Sequence, residues 1–300
     1  MIVVLGEILV DLFEGYQRIG GAPFNFAFHL KQLFPSVRFI TRIGKDRWAD
    51  EIVDLLARHQ FDLDDVQVDD RQPTGTVQVA LDDQGVPAFD IREDVAYDYI
   101  DLEEIKPVHT PETRLIYFGT LAQRSDRAYE RFERLLSRRE KNTKTFCDIN
   151  LRPPHVRQDV IESALRHSDV LKLNTDELFR IGRLFRQTAG EAQLVRYLKE
   201  RFNIEMVVLT KGESGSVVFR DEETFNAPLP KPGRIVDTVG AGDAFAAVVA
   251  VGYLRDLPLP ELLAAATQFA AGICSLPGAI PSDLGLYDPL RLKLEGALHD

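Results

Sequence analysis

A chain of 300 residues with 45% hydrophobic and 28% charged residues has ample material for a large core and too much of it for a disordered protein. Its formal net charge of −11 would repel nucleic acid, and no lysine- and arginine-rich stripe interleaved with aromatics offsets that repulsion. No apolar run approaches the roughly 20 residues of a membrane span, and Cys147 and Cys274 lack metal-ligand spacing with the histidines, so the expectation is a cytoplasmic protein with buried free thiols and no zinc site.

Ile2-Val3-Val4-Leu5 is a continuous apolar run, the pattern of a strand buried on both faces, and it leads into Gly6-Glu7 and Asp11 without a basic leader ahead of it. Gly20-Gly21-Ala22-Pro23-Phe24-Asn25 then opens an apolar helix over Phe26 to Leu33. Val37 to Ile43 reads as a strand, and Asp46 to His59 as a helix with Ile52, Leu55 and Leu56 at helical spacing. Thr74 to Leu81 alternates in period two, Asp82-Asp83-Gln84-Gly85 supplies a turn, and Ala88 to Arg92 resumes the extended pattern, which predicts a β-hairpin. With residues after Leu9 it would form a small sheet projecting from the main body; the plainer alternative is an edge hairpin. Later strands over Leu115 to Phe118, Phe146 to Ile149 and Val170 to Leu173 precede helical stretches, the first two over Asp126 to Arg139 and Asp159 to His167.

Such alternation predicts an α/β fold, a doubly wound and mainly parallel sheet with helices on both faces, as a single domain over 1–300. Sites in these sheets lie beyond the carboxyl ends of the strands. Asp11, Asp148, Asn150, Asn174 and Thr210 each fall just after a predicted strand and should therefore converge on one edge.

Asp237-Thr238-Val239-Gly240-Ala241-Gly242-Asp243 precedes an alanine-rich helix over Ala244 to Leu254. Amides of Gly240, Ala241 and Gly242 at that helix N-terminus would favour an anion, and Asp243 stands where a carboxylate could take a proton from a hydroxyl nucleophile. The pairing points to phosphoryl transfer to an alcohol; an ordinary helix start, capped by Asp237 or Thr238, is the alternative. Phe245 stands where a dinucleotide fingerprint needs its third glycine, which argues against a nicotinamide-dependent oxidoreductase, and no Walker-type run occurs.

Together these segments resemble the two signatures of the ribokinase-like, or PfkB, family of carbohydrate kinases, with Gly6-Glu7, Asp11 and Gly20-Gly21-Ala22-Pro23-x-Asn25-x-Ala27 most similar to its fructokinase branch. Asp148-x-Asn150-x-Arg152, Asn174-x-x-Glu177 and Thr210-Lys211-Gly212-x-x-Gly215 resemble further family elements in family order. Val248 departs from the small residue usual in the second signature, a change expected to affect helix packing rather than the phosphate site. The resemblance implies an ATP-dependent sugar kinase acting on a primary hydroxyl, fructose first, with 2-keto-3-deoxygluconate as the runner-up and ribose or nucleosides behind. A catalytically silent sugar- or nucleotide-sensing protein of the same fold is the rival from another class; it would be expected to lack Asp243 or the glycine turn.

The resemblance also implies roles. Asp243 would be the base, the 240–242 amides and Arg152 would stabilise the transferring charge, and Asp11, Gly20, Gly21, Asn25 and Asn150 would hold the sugar. Asn25 taken alone reads as a helix cap, and Arg92, which could close over the sugar, reads equally as a solvated surface arginine. Asn174 and Glu177 would order Mg²⁺ through water while forming a capping box, and Thr210, Gly212 and Gly215 would line the nucleotide, with an apolar helix over Leu259 to Leu276 beside the base. Asp237, Val239 and Gly278 stand at plausible positions for a monovalent cation such as K⁺. A β lid over about 11–19 and 74–99 is implied, and a homodimer is expected through an apolar face bearing Val77, Val79 and Leu81 or the face opposite.

Overall fold

The computed structural model describes residues 1–81, 87–103, 105–230 and 235–296. Its elements begin with β1 (Ile2–Leu5), β2 (Leu9–Phe13), β3 (Tyr16–Gly20), α1 (Ala22–Leu33), β4 (Val37–Gly44), α2 (Ala49–Arg58), β5 (Val66–Asp69), β6 (Gly75–Leu81) and β7 (Pro87–Ile91). There follow β8 (Leu115–Gly119), α3 (Asp126–Ser137), β9 (Lys144–Asp148), α4 (Gln158–Arg166), β10 (Val170–Asn174), α5 (Thr175–Leu184), α6 (Glu191–Phe202) and β11 (Met206–Thr210). The chain continues through β12 (Ser216–Arg220), β13 (Glu223–Ala227), α7 (Ala241–Leu254), α8 (Leu259–Ile273) and α9 (Asp288–Gly296).

Nine strands form one sheet in the order β13-β12-β11-β10-β9-β8-β1-β4-β5, parallel from β11 to β5 and antiparallel through β12 and β13. β1 lies between β4 and β8, which is why its four residues are all apolar and fully buried. Alternate side chains then feed two cores. Ile2 and Val4 join the core that holds α1, α7 and α8, whereas Val3 and Leu5 join the one that holds residues of α3, α4, α5 and α6. α7 is apolar all round because α1 and α8 both pack on it, and Val248 is fully buried there. No helix among the described residues is long and apolar enough to cross a membrane.

A second sheet has the order β3-β2-β6-β7, with β2 and β6 parallel and the other pairs antiparallel. Asp11 is not beyond a strand of the main sheet, as its sequence position suggested, but inside β2, in register with Arg18 of β3 and Val77 of β6. The hairpin pairs as expected through β6 and β7, and its expected turn at Asp82 to Gly85 lies outside the described residues. Val77 and Val79 are 4% and 6% exposed, packed into the chain's own core with Ile91 and Tyr97, so the cover expected from a second subunit is supplied internally. The opposite face exposes Gln78 and Ala80.

Four helix boundaries differ from the sequence pattern for identifiable reasons. α1 and α7 start several residues early because Gly21 and Gly240, at φ 110° and 79°, are their N-caps and leave the next residue free to be helical. α2 starts late because the Asp46 carboxylate accepts from the amides of Trp48 and Thr74 and from the Thr74 hydroxyl instead of entering the helix. α8 stops at Ile273 rather than Leu276, since Pro277 disfavours helical geometry at the residue before it.

Candidate active site

The carboxyl end of β1 presents Glu7, a side chain 3% exposed whose Oε2 has no hydrogen-bond partner among the described residues. Burial pushes its carboxyl up to about 7, against the pull of its own backbone amide and the Arg152 and Arg124 charges. Behind it α1 begins. Gly21 is required there on two counts: its φ is 110°, and a Cβ would lie 2.7 Å from the Glu7 carbonyl oxygen. One turn into α1, Asn25 is buried rather than capping, and its Nδ2 donates to Asp243 Oδ2 at 2.8 Å.

Asp243 sits in the first turn of α7, behind the left-handed Gly240, where a Cβ would lie 2.3 Å from the Ala279 Cβ. Burial raises its carboxyl to about 6, with Asp148 adding to the rise while Lys172, the Asn25 amide and Arg152 oppose it. A carboxylate tuned toward neutrality beside amides of a helix N-terminus can hold a hydroxyl proton without losing it to water at once. Ala241 N–H makes only a long 3.4 Å contact to the Thr238 carbonyl. That leaves donor capacity at the mouth of the turn.

Below that turn lies a buried ion pair which the sequence motifs did not single out. Lys172 Nζ is 2.7 Å from Asp148 Oδ2, the two residues being 8% and 1% exposed. A Cβ on Gly242 would come within 3.2 Å of the same Nζ, so the ammonium underlies the first turn of α7. Burial alone would lower the Lys172 pKa, but Asp148, Asp243 and Glu177 outweigh it and the net direction is up; the lysine stays charged. The signal was present in Val170-Leu171-Lys172-Leu173, a lone cation in a strand otherwise built for full burial. His29 was missed in the same way: it is fully buried in α1, its Nδ1 pairs with the Tyr287 hydroxyl at 2.7 Å and its Nε2 with the Ala279 carbonyl at 3.0 Å. Burial holds it near 3, neutral, as a brace for the residue against which Gly240 packs.

Beyond β9, Asn150 adopts φ 40°, a left-handed turn that asparagine tolerates, and Arg152 projects to the surface. Its charge reaches Glu7, Asp11 and Asp243 and opposes the rise that burial imposes on each. Beyond β10, Asn174 and Glu177 form the capping box: Asn174 Oδ1 accepts the Glu177 amide at 2.9 Å and Glu177 Oε2 the Asn174 amide at 2.8 Å. Glu177 Oε1 also accepts the Leu151 amide at 2.8 Å, tying β9 to β10. Between the ends of β10 and β11, the start of α7 and the end of α8 opens a cavity of about 430 Å³, lined by Asn174, Thr210, Gly212, Gly215, Ala241, Gly242, Phe245 and Thr267 among others. Cys274, half-buried rather than buried as expected, lies on its wall; Cys147 is fully buried.

On the small sheet Asp11 is half-buried, and burial lifts it to about 6 against Arg152 and Arg18. Gly20 lies beside it, since a Cβ there would be 2.9 Å from Asp11 Oδ2. Arg92 follows β7, exposed, engaged through its amide to the Thr76 carbonyl and its carbonyl to Arg124 Nη2. Asp237 accepts the Val239 amide on Oδ1, and the Gly278 amide and Arg18 Nη1 on Oδ2. The geometry thus groups Asn25, Asp243, Asp148 and Lys172 around the first turn of α7, brings the Arg152 charge within reach of Asp243, places Asn174 and the Thr210 loop on the cavity wall, and leaves Asp11 on the second sheet.

Residues 5–284 match the pfkB family of carbohydrate kinases. A fructokinase of Salmonella typhimurium is 31% identical over 256 residues, covering 81% of each chain. A sugar kinase of Pyrococcus horikoshii, solved in complex with ATP, superposes with a TM-score of 0.81 at 24% identity, over 93% of this chain and 94% of that one. A double variant of a Vibrio cholerae fructokinase, solved with fructose, ADP and potassium, superposes at 0.79 with 21% identity, over 95% and 96% of the two chains.

Proposed function

The chain belongs to the pfkB family of carbohydrate kinases, and on that premise we propose that it transfers the γ-phosphoryl group of ATP to a primary hydroxyl of fructose. The observation that carries the reading is Asp243: a carboxylate raised to about 6, accepting from Asn25 Nδ2 and placed in the first turn of the helix whose Ala241 and Gly242 line the cavity. The fructokinase identity of 31% and the Gly20-Gly21-Ala22-Pro23 run support fructose as the sugar. The runner-up is 2-keto-3-deoxygluconate.

In the proposed reaction the sugar hydroxyl oxygen bonds to the γ-phosphorus as its proton passes to Asp243, and the bond from phosphorus to the β–γ bridging oxygen breaks with its electron pair leaving on ADP. The 240–242 amides, with Lys172 beneath them and Arg152 beside them, face the charge that spreads over the transferring group. Asp11 and Asn25 orient the acceptor hydroxyls, and Asn150, in a left-handed turn beyond β9, is proposed to join them. The apolar walls of the cavity, Phe245 and Ala241 among them, suit the base, and Thr210, Gly212 and Gly215 the phosphates and ribose.

Asn174 and Glu177 fit a magnesium ion held through water. Each Glu177 oxygen already accepts one backbone amide, which fixes the carboxylate while leaving a lone pair for a coordinated water. Bound there, the metal would neutralise phosphate charge. The small sheet, Asp11 included, would close as a lid on the sugar and keep water from competing as acceptor.

An ATP-consumption assay over fructose, 2-keto-3-deoxygluconate, ribose, tagatose and adenosine tests the substrate. Fructose should have the highest kcat/KM; preference for the keto acid would move the assignment to the runner-up, and no consumption with any sugar would favour the silent sensing protein.

A further inference from the structure

Among the described residues, the small sheet reaches the 237–240 turn through one charged contact. Arg18, on edge strand β3, donates from Nη1 to Asp237 Oδ2 at 2.7 Å. That oxygen also accepts the Gly278 amide at 3.0 Å, and the Val239 amide occupies Oδ1 at 3.0 Å. The guanidinium stands over two stacked rings, its central carbon 5.8 Å from the centroid of Phe13 and 5.2 Å from that of Tyr16, faces that favour a cation. A Cβ on Gly278 would lie 3.4 Å from Arg18 Nη1, so the same head group covers the 278 turn.

Asp237, Val239 and Gly278 are the residues that the family resemblance assigned to a monovalent cation, and here they do not fit one. Both lone pairs of Asp237 Oδ2 are taken, and a second cation brought to this carboxylate would meet the Arg18 guanidinium at close range. We propose that Arg18 takes the place of a monovalent cation: its charge, carried by the chain itself, holds the 237–240 turn against the 278–279 turn, and turnover needs no potassium. Gly240 packs on Ala279 at that junction, so the alignment of the phosphoryl-facing amides depends on it. Arg18 is also in register with Asp11 across β2 and β3, so the contact that replaces the ion links the sugar-facing sheet to the turn. Arg18 is therefore a positioning residue, and the inference rests on the reading of the 240–242 turn as the phosphoryl site.

The test compares the wild type, Arg18→Gln and Arg18→Lys in potassium and in tetramethylammonium at constant ionic strength. Wild type and Arg18→Lys should turn over equally in both salts to within about twofold, whereas Arg18→Gln should lose about tenfold or more in tetramethylammonium and recover part of it in potassium. Thermal unfolding supplies a readout that needs no sugar: potassium should raise the melting temperature of Arg18→Gln and leave the wild type unmoved. A wild type that loses about tenfold without potassium, or is stabilised by it, overturns the proposal, as does an Arg18→Gln enzyme equal to wild type in tetramethylammonium. If Arg18→Gln does not fold, the wild type and Arg18→Lys still decide. If fructose proves not to be the substrate, the unfolding measurements stand unaffected.

Discussion

At the carboxyl edge of the nine-stranded sheet, charged groups are bound into the scaffold: Lys172 to Asp148, and Glu177 to the amides of Leu151 and Asn174, all less than a tenth exposed. On the four-stranded sheet Asp11 and Arg18 are half-buried, and Arg18 finds its partner, Asp237, on the other body. Charges fixed by burial cost little to keep aligned when charge develops against them, which suits the phosphoryl end of a transfer. A single contact made between the two sheets suits the proposed lid, which would align the 237–240 turn as it closes over the sugar.

The sharpest way to break this division is at Asp243. Asp243→Asn should lower turnover by roughly 10² to 10⁴ while ATP binding persists, and steady-state kinetics with nucleotide titration will separate the two. Wild-type turnover would remove Asp243 from the mechanism.

Lys172→Met tests the buried side of the comparison. It strands Asp148, whose Oδ1 already lacks a partner among the described residues, and should cost about 3–5 kcal/mol in urea unfolding. Pairing it with Asp148→Asn should restore most of that stability but not the activity. A single variant as stable as wild type would show that the pair is not a structural unit.

Asp11→Ala should act on the small sheet alone, raising the KM for sugar about tenfold or more with the KM for ATP within about twofold. Equal weakening of both would make Asp11 part of the common scaffold.

The pH profiles should have opposite signs. With Asp243 as the proposed base, kcat/KM should rise through an apparent pKa near 6 and level off above it. Stability should run the other way. Asp11 and Asp243 at about 6 and Glu7 at about 7 are all raised above their unfolded values, so their contribution is present in full below the ordinary carboxylate range and is lost as pH rises through 6 to 7. Glu7→Gln should accordingly raise the melting temperature at pH 8 by about 2 °C, with the gain gone near pH 4. A gain that persists at low pH would mean that packing, not charge burial, separates the variants.

Much of this was legible in residue order. Ile2 to Leu5 has four apolar residues because strands flank it on both sides, and Asn174-x-x-Glu177 reads as a capping box wherever it follows a strand. The candidate site was legible where one segment contains both halves of the proposed chemistry, as Gly240 and Asp243 do. It was not legible where partners lie far apart along the chain. Nothing local in Lys172 names Asp148, nothing in Arg18 names Asp237, and the Asp11 position suggested a strand end when it is the middle of β2.

The sequence by itself therefore determined the layers, the family and the turn at α7, because apolar periodicity and backbone-specific residues such as Gly21 and Gly240 act over a few positions. Only the tertiary structure decided the charges: which carboxylate is neutralised, which is raised and which cation serves the 237–240 turn. Those depend on burial and on distances of a few ångströms between residues that β-strand register and helix packing bring together, and neither is encoded at any one of the positions involved.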